Sequence, residues 1–121
     1  MKGLRIVLAL LIVDWILGIP GLGLETRTGT GNDVMNWVYS VVFLALIAAL
    51  SFTWFRPAWA KPLAMAVGAI AVVLAITDVT GLTSGAPAPA PMIAVDLGGI
   101  VIGAAIVWAA SRAGRTATLP A

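Results

Sequence analysis

The sequence AVDLGGIVIG, residues 94–103, joins one carboxylate to three glycines within an apolar segment. On an α-helix Asp96, Gly99 and Gly103 are spaced by three and four residues, so they lie on one face. The Gly99-x-x-x-Gly103 spacing is typical of membrane helices in close contact, because glycine lets two backbones approach. The segment predicts a tightly packed membrane helix with a costly charged group at one end of its contact face.

The composition of the whole chain is that of an integral membrane protein. Of its 121 residues, 61% are hydrophobic and 10% are charged, and the mean hydropathy is +1.08. In soluble domains the charged residues make up about a quarter. The apolar runs at 3–19, 34–55, 62–80 and 92–111 are each near the ~20 residues that cross a bilayer as a helix. We predict an all-α fold, a membrane bundle of four transmembrane helices with short loops, in one domain spanning 1–121.

Most of the basic residues lie at one set of span ends, and the acidic residues lie at or near the other set. By the positive-inside rule, both termini, the loop 56–61 and a tail at 112–121 are predicted to be cytoplasmic, with loops 20–33 and 81–91 outside. The expected location is the cell membrane. The net charge of +2 then reflects topology and contacts with membrane lipids, and nucleic-acid binding is not expected. The basic residues at the inner ends are Lys2, Arg5, Arg56, Lys61, Arg112 and Arg115.

The first apolar run also has features of a secretory signal, because Lys2 and Arg5 precede an apolar core that ends near Pro20. Asp14 interrupts this core, and no convincing small-x-small cleavage site follows it. We therefore interpret the run as the first transmembrane helix.

The chain contains no cysteine and no histidine. This excludes disulfides and thiol chemistry and removes the commonest ligand of haem and zinc. Without histidine, or a lysine near mid-membrane, no serine is expected to be activated as a nucleophile. We predict a protein that is not an enzyme and that has no metal or other cofactor.

Small residues form a stripe on the third and fourth predicted spans, and each stripe begins at a carboxylate. The three-four spacing keeps the third-span stripe on the face of Asp78 and the fourth-span stripe on the face of Asp96. We expect the two stripes to pack together and to bring these carboxylates near one another. The predicted packing residues are Ala64, Gly68, Ala71, Ala75, Gly99 and Gly103.

Asp14 lies at a depth that overlaps those of Asp78 and Asp96. Because a carboxylate that faces lipid is costly, all three are expected to face the bundle interior or a watery vestibule. They are candidate proton- or cation-binding residues, with structural hydrogen bonds as the alternative role. Candidate donors to these carboxylates at a similar depth are Tyr39, Ser40 and Asn36.

The five tryptophans all lie toward span ends, where indole rings prefer the membrane–water interface. We interpret them as interface anchors, with ligand stacking as the alternative. They are Trp15, Trp37, Trp54, Trp59 and Trp108.

The opening LRIV, residues 4–7, the apolar first helix that ends in glycine and the four-span layout resemble the broad DoxX-like group of small bacterial membrane proteins. The resemblance implies the membrane layout, and it carries no functional position across.

Three functional hypotheses fit these patterns. The first is action by helix association, as an accessory or structural subunit that binds other membrane subunits or as a homo-oligomer. The second is a small proton- or cation-coupled transporter or channel that uses the intramembrane aspartates. The third is a quinone- or lipid-binding subunit.

Overall fold

The described part of the chain consists of α-helices and short connections. In the computed structural model the described residues are 1–19, 23–24, 33–82 and 87–118. The helices are α1 (Lys2–Leu17), α2 (Asp33–Phe55), α3 (Pro57–Val79) and α4 (Ala90–Thr118). Most of the predicted outer loop 20–33, and part of the loop 81–91, lie outside the described residues.

Three helices are long and apolar enough to cross a membrane: Asn36–Phe55 within α2, Pro57–Val79, and Ala90–Ala113 within α4. α1 has 16 residues, or about 24 Å, which is shorter than the ~30 Å of bilayer hydrocarbon. The prediction of four apolar spans is therefore confirmed for three helices. α1 ends at Leu17 with Gly18 as its C-cap, and Pro20 in the sequence disfavours a helical Ile19.

Arg56 is the single non-helical residue between α2 and α3, with φ −143° and ψ 67°. The prediction of an inner loop over 56–61 is wrong in its extent, since α3 begins at Pro57. Proline is accepted at the first helical position and moves the preceding residue into extended backbone. Trp59 and Lys61 therefore lie in the first turns of α3.

α4 extends beyond the predicted span 92–111 at both ends, from Ala90 to Thr118. The predicted tail 112–121 is therefore helical as far as Thr118. Arg112, Ala113 and Arg115 are good helix formers, which favours this continuation.

The helices pack in chain order, and α4 also packs against α1. Arg5, near the start of α1, bonds to Thr53 near the end of α2, whereas Trp15 near the end of α1 contacts Tyr39. α1 and α2 are therefore antiparallel. The four helices share one buried cluster, made of Leu4, Leu8, Leu11, Val42, Leu46, Ala49, Ala64, Val67, Ala71, Leu74, Ile106 and Ala110.

α3 and α4 approach one another at backbone distance. A Cβ atom built on Gly68 would lie 2.8 Å from the carbonyl oxygen of Gly103, and one built on Gly103 would lie 2.8 Å from that of Gly68. Neither position accepts a side chain unless the main chain moves. The predicted packing residues are all buried: Ala64, Gly68, Ala71, Ala75, Gly99 and Gly103.

We predict that Gly68→Ala lowers the free energy of unfolding by about 1–3 kcal/mol, the usual cost of overpacking. The new methyl group would press on the Gly103 carbonyl and on two branched side chains of α4. The measurement is unfolding in mixed micelles, followed by circular dichroism. Gly3→Ala is the control, because a Cβ there meets nothing within 4 Å. Wild-type stability of Gly68→Ala would contradict the backbone contact.

Candidate functional site

The carboxylate of Asp14 lies directly against the main chain of α4 at two glycines. A Cβ on Gly98 would lie 2.6 Å from Asp14 Oδ1, and a Cβ on Gly99 would lie 3.4 Å from Oδ2. The absence of side chains at Gly98 and Gly99 is what admits the carboxylate. Asp14 is half-buried at this contact with α4.

The register of α3 and α4 brings Asp78 and Asp96 to the same level. A Cβ on Gly103 would lie 2.9 Å from Val72 Cγ2, and a Cβ on Gly99 would lie 3.4 Å from Ala75 Cβ. Because the helices are antiparallel, one further turn along each sets Asp96 across from Asp78. Both residues are buried, 6% and 9% exposed. The Oδ2 atom of each is fully enclosed by protein.

Gly99 is the point at which α1, α3 and α4 meet. A Cβ built on Gly99 would lie 3.4 Å both from Asp14 Oδ2 of α1 and from Ala75 Cβ of α3. Asp78 follows Ala75 by three residues and Asp96 precedes Gly99 by three, so each lies nearly one helical turn, ~4.5 Å along its axis, from this point. We name Asp14, Asp78 and Asp96 the aspartate cluster.

Trp15, the residue after Asp14, packs among aromatic side chains of α2. The Trp15 ring stacks on Phe43 with centroids 6.4 Å apart, and it meets Tyr39 edge-on at 5.8 Å. Trp15 thus packs onto α2, whereas the interface-anchor interpretation expected it to face the bilayer surface. Trp37, Trp54, Trp59 and Trp108 are all exposed.

The predicted hydrogen-bond donors on α2 are not all directed to the carboxylates. Ser40 Oγ donates to the main-chain carbonyl of Asn36 at 2.8 Å. This is the common local bond of a helical serine to the preceding turn, and it uses the hydroxyl proton.

Two features of the site were missed by sequence reasoning. Gly98 is not among the predicted packing or site residues, although the Asp14 carboxylate approaches α4 most closely there. Thr53 was not singled out, although it binds Arg5. A threonine in an apolar span, four residues before Pro57, was the available signal for the second feature.

Within the described ranges, no group of three or more acidic, histidine or cysteine side chains is arranged to hold a metal ion.

No protein-family model matches this sequence, and comparisons with curated proteins and with solved structures also gave no match. The likeness to the DoxX-like group therefore remains a resemblance in layout.

We predict that Gly98→Ala and Asp14→Ala act non-additively on stability, because the new methyl group displaces the Asp14 carboxylate only when that carboxylate is present. A double-mutant cycle in mixed micelles should give a coupling of about 0.5 kcal/mol or more. The control cycle pairs Asp14→Ala with Gly3→Ala, which lies far along α1 and should be additive. An additive Gly98 cycle would show that Asp14 lies elsewhere.

Proposed function

We propose that the chain is a multi-pass membrane protein whose four helices are all embedded in the bilayer, with both termini cytoplasmic. α1 supports this although it is short. Leu4, Leu8 and Leu11 are buried in the core, while Leu10 and Val13 are exposed on the outer side. A helix that is apolar on both faces suits a membrane.

The distribution of charge supports the orientation. Arg5 bonds to Thr53 at the end of α2, and Arg56 follows immediately after α2. The antiparallel packing of α3 and α4 brings Lys61 and Arg112 to the same end, which we name the basic end. An excess of basic residues marks the cytoplasmic side.

Single-cysteine labelling tests this topology without background, because the chain has no cysteine of its own. A membrane-impermeant maleimide should label Asp33→Cys in intact cells, but Gly3→Cys and Ala58→Cys only after lysis. Labelling of Gly3→Cys and Asp33→Cys from the same side would contradict a membrane-crossing α1.

The function that the geometry supports best is a small proton- or cation-coupled transporter or channel, with the aspartate cluster as the coupling site. One observation carries this proposal: the Asp14 carboxylate lies on Gly98 and Gly99, within about a turn of the buried Asp78 and Asp96. Ionisable residues inside a membrane protein are costly and mark ion or proton pathways.

We propose distinct roles for the three carboxylates. Asp14 is half-buried and would exchange a proton or cation with the surroundings. Asp78 and Asp96 are buried on the α3–α4 interface and would hold it within the bundle. Carboxylates in a low-dielectric interior are costly without stabilising partners, and a bound proton or cation would add to that stabilisation.

The other two hypotheses remain predictions. Helix association would use outward faces such as that of Trp37, Val41 and Leu44 on α2, which are exposed, but an apolar face of this kind suits lipid equally well. The quinone- or lipid-binding role rests on the layout alone.

Proton flux into proteoliposomes tests the coupling site. With a pH-sensitive dye trapped inside and a potassium diffusion potential as driving force, wild type should exceed protein-free vesicles. Asp14→Asn and Asp96→Asn should fall to the protein-free level, because an amide does not exchange a proton. Sodium flux in the same vesicles covers the cation case.

Asp33→Asn is the matched control for the flux assay, since it removes an acidic residue at the start of α2 that is not a member of the aspartate cluster. It should keep wild-type flux. Equal, pH-independent flux of both ions in wild type, Asp14→Asn and Asp96→Asn would exclude the cluster as a coupling site.

A further inference from the structure

The main-chain carbonyl of Thr53 has lost its ordinary partner within α2. In an α-helix this carbonyl accepts from the N–H of the fourth residue along, which here is Pro57 and has no N–H. Thr53 is almost completely buried, with 1% exposed. An unmade hydrogen bond would be costly at such a place, so the carbonyl requires a donor from another helix.

Arg5 of α1 supplies that donor. Its Nη2 donates to the Thr53 carbonyl at 3.0 Å, and its Nε donates to Thr53 Oγ1 at 3.0 Å. The Thr53 hydroxyl donates in turn to the Leu50 carbonyl at 2.6 Å, which fixes its oxygen as the acceptor for Arg5. The guanidinium also lies 4.5 Å from the centre of the Trp54 ring. α2 therefore holds both one edge and one face of the guanidinium.

A second edge of the same guanidinium stays available. Arginine has five N–H donors, and toward the described residues Arg5 uses only Nε and Nη2. Nη1 and Nη2 lie side by side in one plane, a geometry that matches two oxygens of a phosphate. Because α2 already fixes the plane, binding would order little further.

We propose that Arg5, held by Thr53 and Trp54, binds the phosphate of an anionic phospholipid in the leaflet at the basic end. Charge complementarity supports this occupant. Lys2 lies three residues earlier, on the same face of α1. The acidic residues of the described helices lie toward the opposite ends of those helices, at positions Asp14, Asp33, Asp78 and Asp96.

The anchoring of Arg5 goes beyond what a topology signal requires. Arg56 also lies over a tryptophan, 5.1 Å from the Trp59 ring centre, but it is exposed, and its guanidinium makes no hydrogen bond to a described residue. A charge that only orients the chain needs no fixed plane, whereas bidentate binding of a phosphate does. Arg56 therefore offers a control with the same charge and the same ring contact.

This site rests on the proposed membrane embedding of α1 and α2, and it is independent of the aspartate cluster. If labelling shows that α1 is not embedded, both the coupling site and the lipid site are contradicted. If only the flux assay fails, the lipid site is unaffected.

The test is lipid binding to the detergent-purified full chain, measured by native mass spectrometry. Phosphatidylglycerol is titrated against phosphatidylcholine with the same acyl chains. Wild type should bind phosphatidylglycerol more tightly, and Arg5→Gln should lose about tenfold or more in that affinity, the scale expected for a lost charge-assisted contact. Arg56→Gln should retain most of it.

Three outcomes would overturn the proposal. Equal losses in Arg5→Gln and Arg56→Gln would indicate diffuse attraction to the basic end. Equal binding of both lipids by wild type would remove the selectivity for an anionic headgroup. Displacement of the lipid by inorganic phosphate at matched concentration would indicate a site for free phosphate.

Arg5→Lys separates lipid binding from folding, since Arg5 also ties α1 to α2. Lysine keeps the charge but has no planar fork. We expect wild-type helicity by circular dichroism, a reduced affinity for phosphatidylglycerol and a smaller thermal stabilisation by this lipid. Undiminished affinity in Arg5→Lys would contradict the guanidinium geometry.

Discussion

The backbone contact between Gly68 and Gly103 is the constraint on which the rest of the molecule depends. It fixes the distance between α3 and α4 and their register, because a Cβ built on either glycine would lie 2.8 Å from the carbonyl oxygen of the other. With that register set, Gly99 meets Ala75, and the next turn of each helix carries a carboxylate. The seam that packs the two helices thus also determines which polar groups share a level. Packing and candidate site are consequences of one spacing pattern.

The aspartate cluster is also formed by what its neighbours lack. Gly98 and Gly99 have no side chains, and this lets the Asp14 carboxylate reach the α4 main chain. On the opposite side, Trp15 packs against Phe43 and Tyr39 of α2. Asp14 is therefore half-buried against a glycine surface of α4, where an unpaired charge is expensive. At the basic end, Arg5 is held in place by the Thr53 carbonyl. This carbonyl has no N–H partner in its own helix because the fourth residue along is Pro57.

Hydropathy and spacing were sufficient to predict three helices and the small-residue stripes, because both depend on local periodicity. The helix boundaries were less predictable. α3 begins at Pro57 and not at Pro62, since either proline satisfies the rules for a first turn. α4 continues to Thr118, since helix-forming residues follow the apolar segment. The contact of Asp14 with Gly98 could not be predicted, because the face that α1 turns toward α4 depends on the packing of Leu4, Leu8 and Leu11 in the shared core.

The contact of Asp14 with the α4 glycines, beside the α3–α4 seam, can be measured directly in lipid bilayers. Solid-state NMR on protein carrying ¹³C-labelled aspartate and glycine would detect a through-space correlation between Asp14 Cγ and Gly98 Cα. We expect this correlation in wild type and its loss in Asp14→Asn. A Gly68–Gly103 correlation in the same spectrum serves as the internal reference for the folded α3–α4 seam. A spectrum that shows the Gly68–Gly103 correlation but lacks the Asp14–Gly98 correlation would show that Asp14 does not lie on the α4 glycines.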